Sequence, residues 1–234
     1  SAPPERKNVI LIGIDTLRAD HTTLRNADTD RDLTPNLRGL AQKGVLFENA
    51  ISQSPWTMPA FASILTGQYP HEHGAISLAG KLIRTPLTLP EIFREAEYET
   101  AAVVSHLYVN TRHGFSQGFD HFDETSVLGE KTITSKRVTD TALNYLEKYA
   151  DDPFFLFLHY FDPHYEYRDH PQWDFADNYK GSLLDNPSQM DIESLRAKRN
   201  TFDTQDIQYL KDLYDEEIAY TDAQIGRLLT HLKE

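Results

Sequence analysis

The sequence predicts an α/β fold, a mainly parallel sheet with helices on both faces, and three observations carry the prediction. Unbroken apolar runs recur at Asn8–Asp15, Thr100–Ser105 and Phe154–Tyr160, the pattern of strands buried on both sides. Segments with helical spacing alternate with them, so successive strands are joined by crossovers. Each run also ends in residues able to do chemistry: Asp15, Ser105-His106, and His159 followed by Asp162-Pro163-His164. In open α/β sheets ligands gather at those carboxyl ends.

Composition bounds the reading. The 234 residues suffice for one large domain with a sizeable core. A net charge of −13 excludes a nucleic-acid backbone as partner. The carboxylate excess suits divalent cations and a solvated surface equally well. With no cysteine there is no disulfide, thiolate metal site or cysteine nucleophile. No apolar run approaches the roughly 20 residues of a membrane span. Residues 1–7 form a polar lead-in of the kind left by a removed signal peptide or tag, and the reading leans to a periplasmic or secreted location over a cytoplasmic one.

In chain order, the first strand delivers Asp15 to the ligand edge, although an Asp in that place also serves as a helix cap or turn residue. Residues 25–32 are a charged loop. Thr34-Pro35 opens a helix with Leu37, Leu40 and Ala41 on one face, closed by Gly44. Val45–Ala50 reads as a second strand. It leads to the stretch around which the chain is organised, Ser54–Gly74. There Pro59 suits a first helical turn and Gly67 a left-handed exit, with Ala60, Ile64 and Leu65 as a short apolar face. Thr57 therefore sits at or just before a helix N-terminus, where free N–H groups and the dipole favour an anion. A hydroxyl there can attack a tetrahedral anionic ester, or merely cap the helix. His71 and His73 are read as ordering the exit loop rather than as metal ligands.

Thr88-Leu89-Pro90 begins another helix, and Thr100–Ser105 another buried strand. The aromatic, glycine-rich segment Gly114–Asp123 is read as packing. Val138, Ala142, Tyr145, Leu146 and Tyr149 keep helical spacing from Ser135 onward. Residues 165–202 are polar, aromatic-rich and aperiodic, longer than a passive loop, and read as a lid or rim with partial disorder equally open. Thr204 then caps a long helix with Ile207, Leu210, Tyr214, Ile218, Ile225, Leu228 and Leu232 near one side.

Several of these stretches together resemble the sulfatase family of the alkaline-phosphatase superfamily. The resemblance rests on Thr57-Met58-Pro59-Ala60-Phe61, Leu65-Thr66-Gly67 and Tyr69–Gly74, with Asp15–His21, Thr34–Leu37, Gly44–Ala50, Leu213–Asp222 and Ile225–Leu229 in the family's order. It runs from about Asn8 to the end of the chain, so residues 8–234 are read as the N-terminal part of a sulfatase-like catalytic domain. Two departures stand out. Thr57 occupies the place of the Cys or Ser that sulfatases oxidise to formylglycine, and Phe61 that of an Arg. Thr57 there is similar to the phosphodiesterase, phosphoglycerol-transferase and alkyl-phosphate branches of the superfamily.

The resemblance implies an alkaline-phosphatase-like αβα sandwich, incomplete at the C-terminus. In the family a strand with an Asp-His or Asp-Asn metal motif follows the long helix, and the rest of the same protein is the expected partner. It implies one divalent cation on Asp15 and Thr57: Ca²⁺, Mg²⁺ or Mn²⁺ for an all-oxygen shell, Zn²⁺ if histidines from elsewhere join. Thr16 replaces a second Asp found in many sulfatases, and Asp20 either supports a ligand from behind or serves structure. Thr57 is the implied nucleophile and His164 the group on the ester. His106, His159 and Asp162 are substrate-contact candidates. His106 is equally an ordinary loop histidine, and His159 and Asp162 can simply orient one another. The expected substrate is a small anionic ester of phosphate, phosphonate or sulfate. Transfer of the group to an alcohol, and a non-catalytic fragment lacking half its metal site, stand as alternatives.

Overall fold

The computed structural model describes residues 6–24, 31–84, 86–127, 134–149, 152–164, 166–181, 183 and 192–233. Its elements run β1 (Val9–Ile14), α1 (Pro35–Ala41), α2 (Thr57–Thr66), α3 (Pro70–His73), α4 (Leu89–Glu95), β2 (Glu99–Val103), β3 (His121–Asp123), α5 (Ser135–Tyr149), β4 (Phe154–Tyr160), α6 (Ile192–Lys198) and α7 (Thr204–His231). The chain divides into two compact units, one within Ser1–Ile14, Phe47–Glu130 and Arg137–Tyr160, the other within Asp15–Leu46, Lys131–Lys136 and Phe161–Glu234.

The first unit is the sheet, in the order β1-β4-β2-β3 with every pair parallel. Gly13 of β1 pairs with His159 of β4, and Ala101 of β2 with Leu156. All seven residues of β4 are buried, because it has a strand on each side and helices over both faces. Period-two alternation sorts them. Phe155 and Phe157 enter a core with Met58, Phe61, Ala62 and Leu65 of α2. On the opposite face Phe154 meets Tyr145 of α5 edge-on, and the Tyr160 hydroxyl lies 2.9 Å from Thr139 Oγ1. Phe115 and Phe119 also enter the α2-side core, as their packing role predicts.

The second unit is arranged on α7. Asp203 caps this helix, its carboxylate accepting from the N–H groups of Gln205 and Asp206. Leu33 packs on Tyr214, Ile218 and Ala219, with Leu17, Tyr167, Trp173 and Phe175 around them. Asp222 accepts from the backbone N–H groups of Asn36 (3.0 Å) and Leu37 (2.9 Å), so α1 takes its anion from α7 rather than from its own Thr34. A Cβ on Gly226 would sit 2.5 Å from Asn36 Cγ, which explains a glycine inside a long helix.

Several expectations are corrected. Val45–Ala50 forms no strand; Val45 and Phe47 are each 79% exposed, since no neighbouring backbone pairs with them among the described residues. The strand β1 is half-buried throughout, because β4 is its one partner among the described strands. The buried face of α2 is Met58, Phe61, Ala62 and Leu65, whereas Ile64 is exposed. The cap of α7 is Asp203, one residue before Thr204, since a carboxylate can take two N–H groups at once. The short strand β3 arises inside the segment read as packing alone. Of residues 165–202, position 165 and most of 182–191 lie outside the described residues.

Candidate active site

Within the first unit, Thr57 is the first residue of α2 and buried at 7% exposure. The cap position belongs to Trp56, in extended conformation, and Gly67 closes the helix at φ 68°. Trp56 meets Tyr108 edge-on at 6.2 Å, and Tyr108 in turn meets His106 at 5.3 Å. A chain of aromatic contacts thus joins the start of α2 to the loop after β2. One helical turn beyond Thr57, Phe61 packs against Gly13, where an added Cβ would lie 2.3 Å from its ring. The same ring meets the imidazole of His159 at 4.5 Å in edge geometry. Ser105 Oγ donates to the His159 carbonyl at 2.6 Å and ties the end of β2 to the end of β4. Thr57, His106 and His159 accordingly belong to one packed neighbourhood.

His73 orders the exit of α2, as its position predicts. Its Nδ1 accepts from the Ala75 N–H at 3.2 Å, so Nε2 carries the proton donated to Ser63 Oγ at 3.0 Å. Burial lowers its pKa and keeps that neutral tautomer. His71 stacks on Tyr69 at the exposed surface.

Within the second unit, Asp15 is the residue after β1 and 6% exposed. Thr16 follows at φ 55°, a left-handed conformation costly for a β-branched residue. The turn is fastened from α7: the Tyr214 hydroxyl donates to the Thr16 carbonyl at 2.7 Å and accepts from the Arg18 N–H at 2.9 Å. Burial pushes the Tyr214 phenol up to about 12, so both bonds persist at neutral pH. Asp20 forms a two-pronged pair with Arg18, at 2.9 and 2.6 Å, which lowers its pKa to about 2.

Asp162 accepts from Thr134 N, Thr134 Oγ1 and Ser135 N at 2.6 to 2.8 Å. It is therefore the anchor of the start of α5, and both its oxygens are engaged there. His164 closes the next turn, its N–H on the Phe161 carbonyl at 2.9 Å and its ring stacked on Phe161 at 4.4 Å.

Sequence reasoning missed Tyr214, Glu216 and Glu217. Tyr214 falls in the apolar stripe of the helix by sequence spacing, which says nothing of its hydroxyl. Glu217 lies three residues beyond Tyr214, on the same face of the helix, and that register was the available signal.

The donors present bear on a metal. Asp15 and Thr57 offer one carboxylate and one hydroxyl, hard oxygen ligands of the kind Ca²⁺, Mg²⁺ or Mn²⁺ take. Among the described residues no group of three or more His, Cys, Asp or Glu stands together as a metal site. Asp15 and Thr57, each within its own unit, are donors of the type a divalent cation takes.

Comparison with known proteins agrees with the fold. The family model "Sulfatase" matches residues 7–234. An N-acetylglucosamine-6-O-sulfatase of Bacteroides thetaiotaomicron is 28% identical over 177 residues, covering 68% of this chain and 31% of that protein. An ulvan-active sulfatase of Formosa agariphila is 29% identical over 255 aligned positions, covering 98% of this chain and 47% of that protein. The chain thus spans about a third to a half of these relatives' length. Among solved structures, a phosphonate monoester hydrolase of Agrobacterium radiobacter superposes with a TM-score of 0.73 at 18% identity, over 97% of this chain and 59% of that one. The parallel α/β architecture is thus the alkaline-phosphatase-like fold.

Proposed function

The chain belongs to the sulfatase family, and from that premise we propose that it is the Thr57-bearing part of a metal-dependent hydrolase of phosphate, phosphonate or sulfate esters. The observation that supports this most is the family match across residues 7–234, with Thr57 opening the first turn of α2 in the family's nucleophile stretch.

In this reading Thr57 Oγ1 gives its proton to solvent water and attacks the phosphorus or sulfur atom. The new Thr57 oxygen bond forms as the ester bond to the leaving oxygen breaks, and His164 gives that oxygen a proton or binds the non-bridging oxygens. Water then releases the group, or an alcohol does so in the transferase alternative. Asp15 and Thr57 would hold the divalent cation, which would supply positive charge to lower the hydroxyl pKa and screen developing negative charge. The N–H groups of the first turn of α2 point the helix dipole at the same anion. His106 and His159, beside the start of α2, are the further substrate contacts.

The remaining metal ligands belong, in this proposal, to further polypeptide of the same protein. Two facts support it: the relatives are two to three times longer than the stretch they share with this chain, and Val45, Phe47 and Ile51 present apolar side chains 79 to 83% exposed.

Thr57 also sets the ester preference. Oxidation of a threonine carbon yields a ketone, not the aldehyde of formylglycine, so phosphate and phosphonate esters are expected to exceed sulfate esters. The test is a panel of aryl phosphate, phosphonate and sulfate esters with the protein expressed from its whole reading frame, with and without Thr57→Ala. Loss of roughly a thousandfold or more in Thr57→Ala is expected. Undiminished turnover in Thr57→Ala overturns the nucleophile, and no turnover of any ester with added Ca²⁺, Mg²⁺, Mn²⁺ or Zn²⁺ favours the non-catalytic alternative. Glycerol as acceptor separates transfer from hydrolysis.

A further inference from the structure

Two adjacent carboxylates on α7, Glu216 and Glu217, are 0% and 1% exposed. Neither is paired with Lys or Arg in the described structure; both are occupied by one stretch of chain. Glu216 Oε1 accepts from the N–H groups of Phe175 (2.9 Å) and Ala176 (3.0 Å), and Oε2 from that of His170 (2.9 Å). Glu217 Oε1 accepts from the Arg168 N–H at 2.6 Å, and Oε2 lies 2.9 Å from His170 Nε2. The His170 ring is stacked on Tyr220, one turn along the same helix, at 4.4 Å. Five hydrogen bonds thus bind residues 168–176 to α7. Burying two neighbouring carboxylates is costly, and a merely packed loop does not need them.

What these bonds fix lies immediately upstream. His164 sits between two anchors, Asp162 on the start of α5 and Arg168 on Glu217. Asp162 holds the chain two residues before His164 and Glu217 holds it four residues after. We propose that Glu216 and Glu217 are positioning residues for His164, holding the segment that follows it so that the imidazole keeps one place. The proposal rests on the reading of His164 as the group that contacts the ester. The carboxylates act on the backbone rather than on the substrate, so their removal acts on turnover through the placement of His164.

Asp222 provides the internal control. It is equally buried on the same helix, but its carboxylate holds α1 instead. The experiment compares Glu216→Gln, Glu217→Gln and Asp222→Asn in the full-length protein by steady-state kinetics, thermal unfolding and backbone amide exchange. Each amide replacement turns an acceptor into a donor that faces an N–H or an imidazole. Expected is a fall in kcat of about 10- to 100-fold in the two Glu variants with KM little changed, and faster exchange confined to residues 168–176. Asp222→Asn should lose comparable thermal stability, keep kcat, and exchange faster around Asn36 and Leu37. If all three variants lose stability and kcat in the same proportion, the carboxylates are structural and the proposal is overturned. It is overturned equally if exchange at 168–176 does not change. Failure of the underlying reading is seen separately: His164→Ala would then leave kcat intact while the exchange result stood.

Discussion

The two units of this chain are stabilised by opposite means. In the sheet unit, β4 is buried along its whole length and its first five side chains are carbon, Phe154, Phe155, Leu156, Phe157 and Leu158, with His159 and Tyr160 at its end. In the other unit the central helix buries Asp206, Asp212, Glu216, Glu217 and Asp222 among its apolar residues. Each of these carboxylates is engaged by groups from elsewhere in that unit, as Asp212 is by Arg31 at 2.5 Å and Asp206 by the Tyr179 hydroxyl. Burial of carbon is non-directional and tolerates small shifts. A buried carboxylate is tolerated when specific donors meet it, so it dictates where those donors lie. One unit is a platform, and the other is a set of fixed loop positions.

The largest effect that can test this contrast is in the platform. Phe157 is fully buried between Phe61 at 6.0 Å and Phe119 at 6.3 Å. Phe157→Ala is expected to cost about 3–5 kcal/mol, measured by denaturant unfolding. A cost below about 1 kcal/mol would mean that the sheet core is loosely packed, and the contrast would fail on its apolar side.

A smaller effect comes from adding one methyl group in each unit. At Gly13 the new Cβ meets the Phe61 ring, which is enclosed by Phe157 and His159. At Gly226 it meets the Asn36 amide, whose Nδ2 bonds Asp222 at 2.9 Å. Overpacking costs about 1–3 kcal/mol, while alanine inside a helix regains up to about 1 kcal/mol over glycine. Gly13→Ala should therefore destabilise by about 2–3 kcal/mol and Gly226→Ala by about 1. Equal losses would show that the hydrogen-bonded amide yields no more readily than the enclosed ring.

The same contrast explains what the sequence discloses. The strands at Val9–Ile14, Glu99–Val103 and Phe154–Tyr160 and their parallel order are readable, because an apolar run has few other uses. So is the place of Thr57, since Pro59 and Gly67 bracket α2 at both ends. Val45–Phe47 fails as a strand because an apolar pattern says nothing of whether a partner strand is at hand. The carboxylates of α7 were illegible for a different reason. Asp-Glu-Glu in a helix looks like a solvated face, and the donors that justify burial lie 40 to 49 residues away, from Ala176 to Arg168. The hold of Asp162 on Thr134 and Ser135, 28 and 27 residues earlier, was likewise illegible from its chain position.

The smallest expected effect is a dependence on pH, and it singles out one carboxylate. Burial pushes Glu217 up to about 7, against the lowering influence of His170 and of the Arg168 N–H, with Asp162 adding to the rise. Tyr167, whose own pKa is raised by burial and by Glu217, remains neutral over the range that matters. The sign follows from linkage. The folded state binds a proton on Glu217 at pH values where the unfolded chain, near the ordinary value of 4.5, does not. Its contribution to stability is thus fully present below about 4.5 and is lost as pH rises through about 7. Between pH 8 and pH 6 the gain amounts to about 1 kcal/mol. The measurement is the difference in unfolding free energy between the parent and Glu217→Gln at each pH, which removes the titration of every other group. The parent should gain on the variant as pH falls from 8 to 6. A difference that stays flat, or that shrinks over the same interval, would mean that the five-bond clamp holds Glu217 ionised throughout, and that the carboxylates of this unit are better solvated by their donors than burial alone implies.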